Sequence, residues 1–416
     1  MSFSKFTFHR HISEAIKSHG YVTPTTIQNK AIQPILEGRD LLGLAQTGTG
    51  KTAAFVLPIL QRMSTNLSER SVKALIIAPT RELAEQTYAF IGTFSKRLNL
   101  HPCVLYGGVS KEAQIAKLRQ GVEIVVACPG RLLDLAHDGM IDLSTVDTLV
   151  LDEADQMLDR GFLPDIKRIL KMLPAHRQNL VFSATMPREV RCLVDKILVD
   201  PAEVSTNYSA PLTSISHVFY RVDKQRKNVL LRSILKEEDV RTAIVFTRTK
   251  HKARSLARTL ERQGFKATSI QGNLSQQRRQ QALDGFKSGL YDVLVATDIA
   301  ARGIDVSGIS HVINYDMPGT TEAYTHRTGR TGRANQTGTA LTFSTIEDDK
   351  MTENLRRTLR ERFVCKENSA SEVEDIVLET GNLQVQSPVP RRNSHRKERG
   401  KKSSQRNRMA AFDFGI

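Results

Sequence analysis

AQTGTGKT, residues 45–52, decides how the rest of the chain is read. It follows an apolar run at residues 40–44 and leads into the apolar stretch 53–57, so it stands where a strand gives way to a helix. In that setting a glycine-rich string becomes a phosphate site, because glycines let backbone N–H groups converge on an anion at a helix N-terminus. Gly48 and Gly50 fill that role, Lys51 supplies charge to the terminal phosphates, and the Thr52 hydroxyl is placed to hold Mg2+. Ala45, Gln46, Thr47 and Thr49 complete the loop, Ala45 standing where the G-x4-G-K-[ST] pattern has its first glycine. The expected ligand is a nucleoside triphosphate.

Working outward, the 416 residues suffice for two or three domains with their own cores. The net charge of +16 points to a polyanionic partner, and half of it lies in residues 391–408, where nine Lys or Arg stand against Glu398. Cys103, Cys128, Cys192 and Cys365 are far apart and form no C-x-x-C pair, which implies neither zinc nor a disulfide framework and suggests a reducing compartment. The N-terminal segment is charged throughout and lacks the apolar centre of a signal peptide, and no uncharged run approaches the ~18 residues of a membrane span. The expectation is a cytoplasmic protein with no membrane partner.

Upstream of the loop, two helical patterns, residues 11–19 and about 28–37, are separated by Pro24. Downstream, one theme recurs: a short apolar run ending in polar residues, then a helical segment. The runs are residues 74–78, 124–127, 148–151 and 180–182. After a small, polar, Pro-containing stretch around residues 200–213 the theme restarts with 243–246, 268–270, 293–296 and 312–315. Uninterrupted Val, Ile and Leu indicate strands buried on both faces, as in parallel sheets covered by helices, with ligand groups at the strands' carboxyl ends. The α/β reading is therefore two doubly wound domains: 1–205, a linker 206–214, and 215–363. Residues 364–416, rich in Pro, Ser, Asn, Arg and Lys toward the end, are expected to form a disordered basic tail.

Asp152-Glu153-Ala154-Asp155 follows the run 148–151. An acid at that strand end completes a magnesium site with Thr52, and Glu153 beside it is placed to orient or deprotonate water. At this point a resemblance becomes explicit. AQTGTGKT, PTREL (residues 79–83), DEAD, SAT (183–185), ATDIAARGIDV (296–306) and HRTGRTGR (326–333) resemble the motifs of the DEAD-box ATP-dependent RNA helicases of superfamily 2, in that family's order. The layout of a bare core with a basic tail is similar to the bacterial RhlE-like subgroup. The likeness covers about residues 3–363 and implies two tandem RecA-like domains.

Several roles follow from the resemblance alone. GYVTPTTIQ, residues 20–28, resembles the family's Q motif, so Gln28 is expected to read adenine and Phe3 to stack on it. Arg330 and Arg333 match the arginine fingers that reach the γ-phosphate from the second domain, and Asp305 matches a ribose contact. Ser183, Ala184, Thr185 and His326 match elements coupling the nucleotide site to RNA. Thr80, Arg81, Gly107, Gly108, Gly130, Arg131, Thr247, Arg248, Gln276, Arg279, Thr297, Asp298, Arg302 and Gly303 match RNA-facing motifs, with Cys128 where the family usually has Thr. Freed backbone N–H groups and scattered Arg suit phosphate and 2′-OH contacts better than base reading.

The resulting expectation is an RNA-stimulated ATPase that binds single-stranded and duplex RNA without sequence specificity and opens short duplexes, using ATP and Mg2+. Ribosome precursors or RNA-decay machinery are the expected settings, and the core is expected to be monomeric. Two alternatives stay open: a related ATPase acting on DNA, and an RNA chaperone or ATP-gated clamp whose basic tail does the annealing.

Overall fold

A computed structural model describes residues 2–45, 48–64, 70–206, 215–237, 239–301, 306, 308–332 and 337–367. The expected linker, apart from Thr206, and the tail beyond Glu367 lie outside the described residues.

Two seven-stranded sheets organise the chain, and every neighbouring strand pair in both is parallel. The first contains β1 (Leu41–Leu44), β2 (Ala74–Ile77), β3 (Pro102–Leu105), β4 (Ile124–Ala127), β5 (Thr148–Leu151), β6 (Gln178–Ser183) and β7 (Ala202–Ser205). The second contains β8 (Ile215–Arg221), β9 (Ala243–Phe246), β10 (Ala267–Ile270), β11 (Val293–Ala296), β12 (His311–Asn314), β13 (Gly338–Ser344) and β14 (Phe363–Glu367). Their orders, β3-β4-β2-β5-β6-β1-β7 and β10-β11-β9-β12-β13-β8-β14, are the same order shifted by seven strands. The two lobes thus repeat one RecA-like topology.

The uninterrupted apolar runs have the expected cause. In β5, Leu149 and Leu151 join one core while Val150 joins the core on the opposite face. In β9, Ala243 and Val245 face one way and Ile244 and Phe246 the other. Strands covered on both faces have no polar side to alternate with. Parallel neighbours require crossovers, so each strand returns through a helix, and the helix starts gather at one edge of each sheet. Lys51–Met63 follows β1, Arg81–Ser95 follows β2, Pro129–His137 follows β4 and Ala154–Asp159 follows β5. The phosphate loop and the acidic motif are thereby brought to the same edge. The strand β14 begins at Phe363 and pairs with β8 as far as Glu367, so the second sheet extends four residues into the stretch expected to be a disordered tail.

Candidate functional site

The loop after β1 turns on two glycines in the left-handed region, Gly48 at φ +84° and Gly50 at φ +89°. A side chain is strained at such angles, and one at Gly50 would also meet the Gln28 amide. Gly50 is the residue before the helix Lys51–Met63. Ala45 anchors the other end of the loop by donating its N–H to the Ser183 carbonyl at 3.0 Å. Gln28, 2% exposed, accepts from the Thr25 N–H at 2.9 Å and donates to the Gly50 carbonyl at 3.1 Å. It therefore caps its own helix, Thr26–Leu36, and fixes the glycine turn at once. Phe3 is enclosed, edge-on to Tyr21 with ring centroids 6.0 Å apart and 6.3 Å from Phe6.

Asp152 and Glu153 leave the end of β5 fully buried. Lys51 Nζ stands 4.0 Å from Asp152 Oδ1, and neither atom has a hydrogen-bond partner among the described residues. Burial raises the Asp152 carboxyl to about 7, against the opposing pull of Lys51 and with added repulsion from Glu153. Orphaned buried polar atoms of opposite charge fit a triphosphate and a hard cation: Lys51 suits phosphate oxygens, while the Thr52 hydroxyl and Asp152 carboxylate suit Mg2+. Among the described residues no group of three His, Cys, Asp or Glu could hold a metal alone, so phosphate oxygens and water would have to complete the coordination. Glu153 adopts φ 55°, ψ 54°, a left-handed conformation costly for a residue with a Cβ, and accepts from Gln156 Nε2 at 2.6 Å.

Asp155 joins three motifs. Its Oδ2 accepts from both the Thr185 N–H and the Thr185 hydroxyl at 2.8 Å, and its own N–H donates to Ser183 Oγ at 3.3 Å. Across the cleft His326 Nε2 lies 3.7 Å from the same Oδ2, too long for a hydrogen bond but close enough for charge to act. Burial pushes the Asp155 carboxyl up, yet the facing imidazole, Lys51 and the Thr185 hydroxyl outweigh it and hold the group well below the usual carboxylate range. Ala184 is buried between Ser183 and Thr185. The segment carrying His326 thus faces the acidic motif of the first lobe. Arg330, buried, sits in the turn that ends helix Thr321–Thr328, its N–H donating to the Arg327 carbonyl at 3.1 Å.

A second convergence joins the lobes through residues expected to face RNA. Arg279 Nη2 lies 2.8 Å from Glu82 Oε1, Gln276 Nε2 donates to the same oxygen at 3.4 Å, and Arg81 donates to Gln276 Oε1 at 3.4 Å. The Arg81 guanidinium also lies where a Gly108 side chain would project, and Gly108 holds φ +82°. Arg131 donates to the Val109 carbonyl at 3.4 Å, so Arg81, Gly107, Gly108, Gly130 and Arg131 form one neighbourhood. The Thr80 hydroxyl caps helix Arg81–Ser95 by accepting from the Leu83 N–H. Cys128 begins helix Pro129–His137 with no side-chain cap, and burial pushes its thiol up to about 12.

In the second lobe Thr247 is fully buried, its hydroxyl donating to the Thr249 carbonyl, while Arg248 is exposed and Thr297 buried. The Asp298 carboxylate is taken up within the lobe by a bidentate pair with Arg327, whose guanidinium also bonds Asn314 and lies 5.0 Å from the Phe246 ring centroid. Sequence reasoning missed Arg327, Glu82 and Gln156. The first Arg of HRTGRTGR carries no local mark of being buried, and Glu82 lies inside PTREL without an assigned role. Gln46, Thr47, Arg302, Gly303, Asp305 and Arg333 lie outside the described residues.

Residues 25–193 match the DEAD/DEAH box helicase family model, and residues 226–335 match the helicase conserved C-terminal domain. The chain is 43% identical over 351 residues to the ATP-dependent RNA helicase DeaD of Escherichia coli, which covers 84% of this chain and 56% of that one. It is 44% identical over 343 residues to the ATP-dependent RNA helicase CshA of Listeria monocytogenes, covering 82% and 65%. It therefore spans just over half to two thirds of the length of these curated relatives. Among solved structures, a DEAD box protein from Methanococcus jannaschii is 34% identical at a TM-score of 0.53, covering 88% of this chain and 99% of that one. Dbp5 of Saccharomyces cerevisiae, bound to RNA and ADP-BeF3, is 28% identical at a TM-score of 0.77, covering 91% and 99%.

Proposed function

The chain belongs to the DEAD/DEAH box helicase family, and from that premise we propose that it is an RNA-stimulated ATPase that locally opens short RNA duplexes as its lobes close. The observation that carries the reading is the pair of orphaned buried atoms, Lys51 Nζ and Asp152 Oδ1, with His326 of the other lobe reaching the same acidic motif. A phosphoryl transfer needs little covalent help from a protein; positioning and charge do most of it.

In this reading the turn at Gly48 and Gly50 presents N–H groups and Lys51 charge to the β- and γ-phosphates. Mg2+, held by Thr52 and Asp152, would neutralise phosphate charge. Glu153, oriented by Gln156, positions the attacking water. Gln28 reads adenine by exchanging its hold on Gly50, and Phe3 and Asp305 flank the nucleoside. Arg330 and Arg333 of the second lobe complete the γ-phosphate cage, so hydrolysis depends on closure. Asp155, tied to Thr185, Ser183 and His326, carries the state of the nucleotide to the RNA face. That face comprises Thr80, Arg81, Gly107, Gly108, Gly130 and Arg131 on one side, and Arg248, Gln276, Arg279, Thr297, Arg302 and Gly303 on the other. Contacts to phosphate and 2′-OH make binding independent of sequence.

The division into lobes at 1–205 and 215–363, with the basic residues 391–408 as a nonspecific RNA tether, belongs to the same proposal, as does a cytoplasmic setting. ATP hydrolysis measured with RNA and DNA oligomers of equal length tests it. RNA-selective stimulation that Lys51→Ala and Glu153→Gln both abolish is expected. Equal stimulation by DNA, or wild-type turnover in either variant, would refute it. Strand annealing that survives Lys51→Ala but is lost on removing residues 387–416 would instead favour the chaperone reading.

A further inference from the structure

Away from the cleft, the outer edge of the second lobe carries a concave, basic surface with no assigned role. Helix Lys250–Arg262 buries Ala253, Leu256, Ala257 and Leu260 on its inner face. Lys250, Arg254 and Arg258 are all exposed and recur every four residues, about 6 Å apart along the helix axis at about 1.5 Å per residue. Like charges so spaced on a helix repel by a few tenths of a kcal/mol per pair. Among the described residues Arg254, Arg258 and Arg278 form no ion pair.

These cations line a groove of about 340 Å3 whose opposite wall is β10, the strand that ends the sheet order. Thr268 and Ser269 of that strand offer hydroxyls, Gln271 and Asn273 offer amides, and Arg278 closes the end, while Glu261 is the one carboxylate among the described lining residues. The lining is polar and basic, and its aromatic member, Tyr291, is half-buried, so it suits a backbone better than stacked bases. The groove adjoins the elements that carry the proposed RNA face. Lys250 Nζ donates to Asn273 Oδ1 at 3.1 Å, Lys250 follows Thr247 and Arg248, and Arg278 shares a helix with Gln276 and Arg279.

We propose that this groove is a second polynucleotide track, which grips the phosphates of the RNA segment running beyond the cleft. The inference rests on the RNA-binding reading above and extends it to residues outside its motifs. It predicts that long RNA is held by two sites in series, one closing with ATP and one always open.

The test uses the full chain and the double variant Arg254→Ala/Arg258→Ala, titrated with a short oligouridylate that fills only the cleft and with a long one. The short strand should bind and stimulate ATP hydrolysis as in wild type. The long strand should bind more weakly, and its log–log salt dependence should fall by about 1.4, two phosphates at about 0.7 each, which is about 25-fold in affinity between 1 M and 0.1 M salt. Arg254→Lys/Arg258→Lys should restore most of both. An unchanged long-strand affinity and slope overturns the proposal, as does an equal loss for both strands. Loss of polyglutamate binding with RNA binding intact would assign the groove to an acidic peptide instead. A wild-type chain that binds neither strand removes the RNA reading itself and the groove's role with it.

Discussion

Glu82 and Arg279 meet at 2.8 Å from different lobes, with side chains 4% and 14% exposed. On the proposed reading, whatever free energy the pair supplies is free energy of closure, because opening the cleft would separate the partners. The Coulomb attraction is about 6 kcal/mol at an effective dielectric constant of about 20. Desolvation offsets most of it, and coupling energies for such neighbours run to about 1–3 kcal/mol, or about 5- to 150-fold in the closed-to-open ratio. Removing one partner should cost at least as much, since the other charge then loses water on closing without gaining a mate. A double-mutant cycle on Glu82→Ala and Arg279→Ala, read as RNA affinity with a non-hydrolysable ATP analogue, measures this. The double variant should lose less than the two single losses added together, and nucleotide affinity without RNA should not change. Gln276→Ala, which removes the 3.4 Å bond to the same carboxylate, should show a smaller effect in the same direction. Losses that add to within about 0.5 kcal/mol would refute the reasoning.

On the proposed reading, the buried Asp152 should make nucleotide binding pH-dependent. Its folded pKa of about 7 lies above the ordinary value of about 4, so the carboxylate proposed to hold Mg2+ is lost as pH falls through 7, and Mg-ATP affinity should drop by up to about tenfold per unit below that point. The folded state binds the extra proton between about pH 4 and 7, so unfolding free energy falls as pH rises across that window, and the difference between wild type and Asp152→Asn should isolate the slope. A pH-independent Mg-ATP affinity in calorimetry would contradict this. At Cys128 the missing helix cap should be restored by Cys128→Thr, stabilising the chain by about 1 kcal/mol in chemical denaturation. A less stable variant would mean that the thiol's packing outweighs the cap.

What the sequence disclosed and what it hid divide along physical lines. Most central strands were legible because burial on both faces leaves uninterrupted runs such as Leu149-Val150-Leu151, whereas β13, GTALTFS, is almost as fully buried but broken by threonines and shows no such run. β8, which reads ISHVFYR, alternates buried and exposed positions, and β7 falls in the polar stretch read as the approach to a linker, so neither shows such a run. β3 opens on a proline and β14 on the residue where the apolar pattern fades. The site was legible where chemistry is contiguous: the glycine turn with Lys51, and the acids directly after β5. Gln28 could be recognised as a cap from Thr25 three residues earlier, but its bond to Gly50 required the fold. The same holds for Asp155 with His326, Glu82 with Arg279 and Asp298 with Arg327, pairs whose members lie far apart in the chain and share no local pattern.

The account's central claim is that chemistry in the first lobe waits for groups delivered by the second. Single-turnover ATP hydrolysis by Arg330→Ala, at saturating RNA and with nucleotide affinity measured in parallel, tests this most directly. The account predicts near-wild-type ATP binding with hydrolysis slowed by about 10³-fold or more. Hydrolysis within a few-fold of wild type would contradict it.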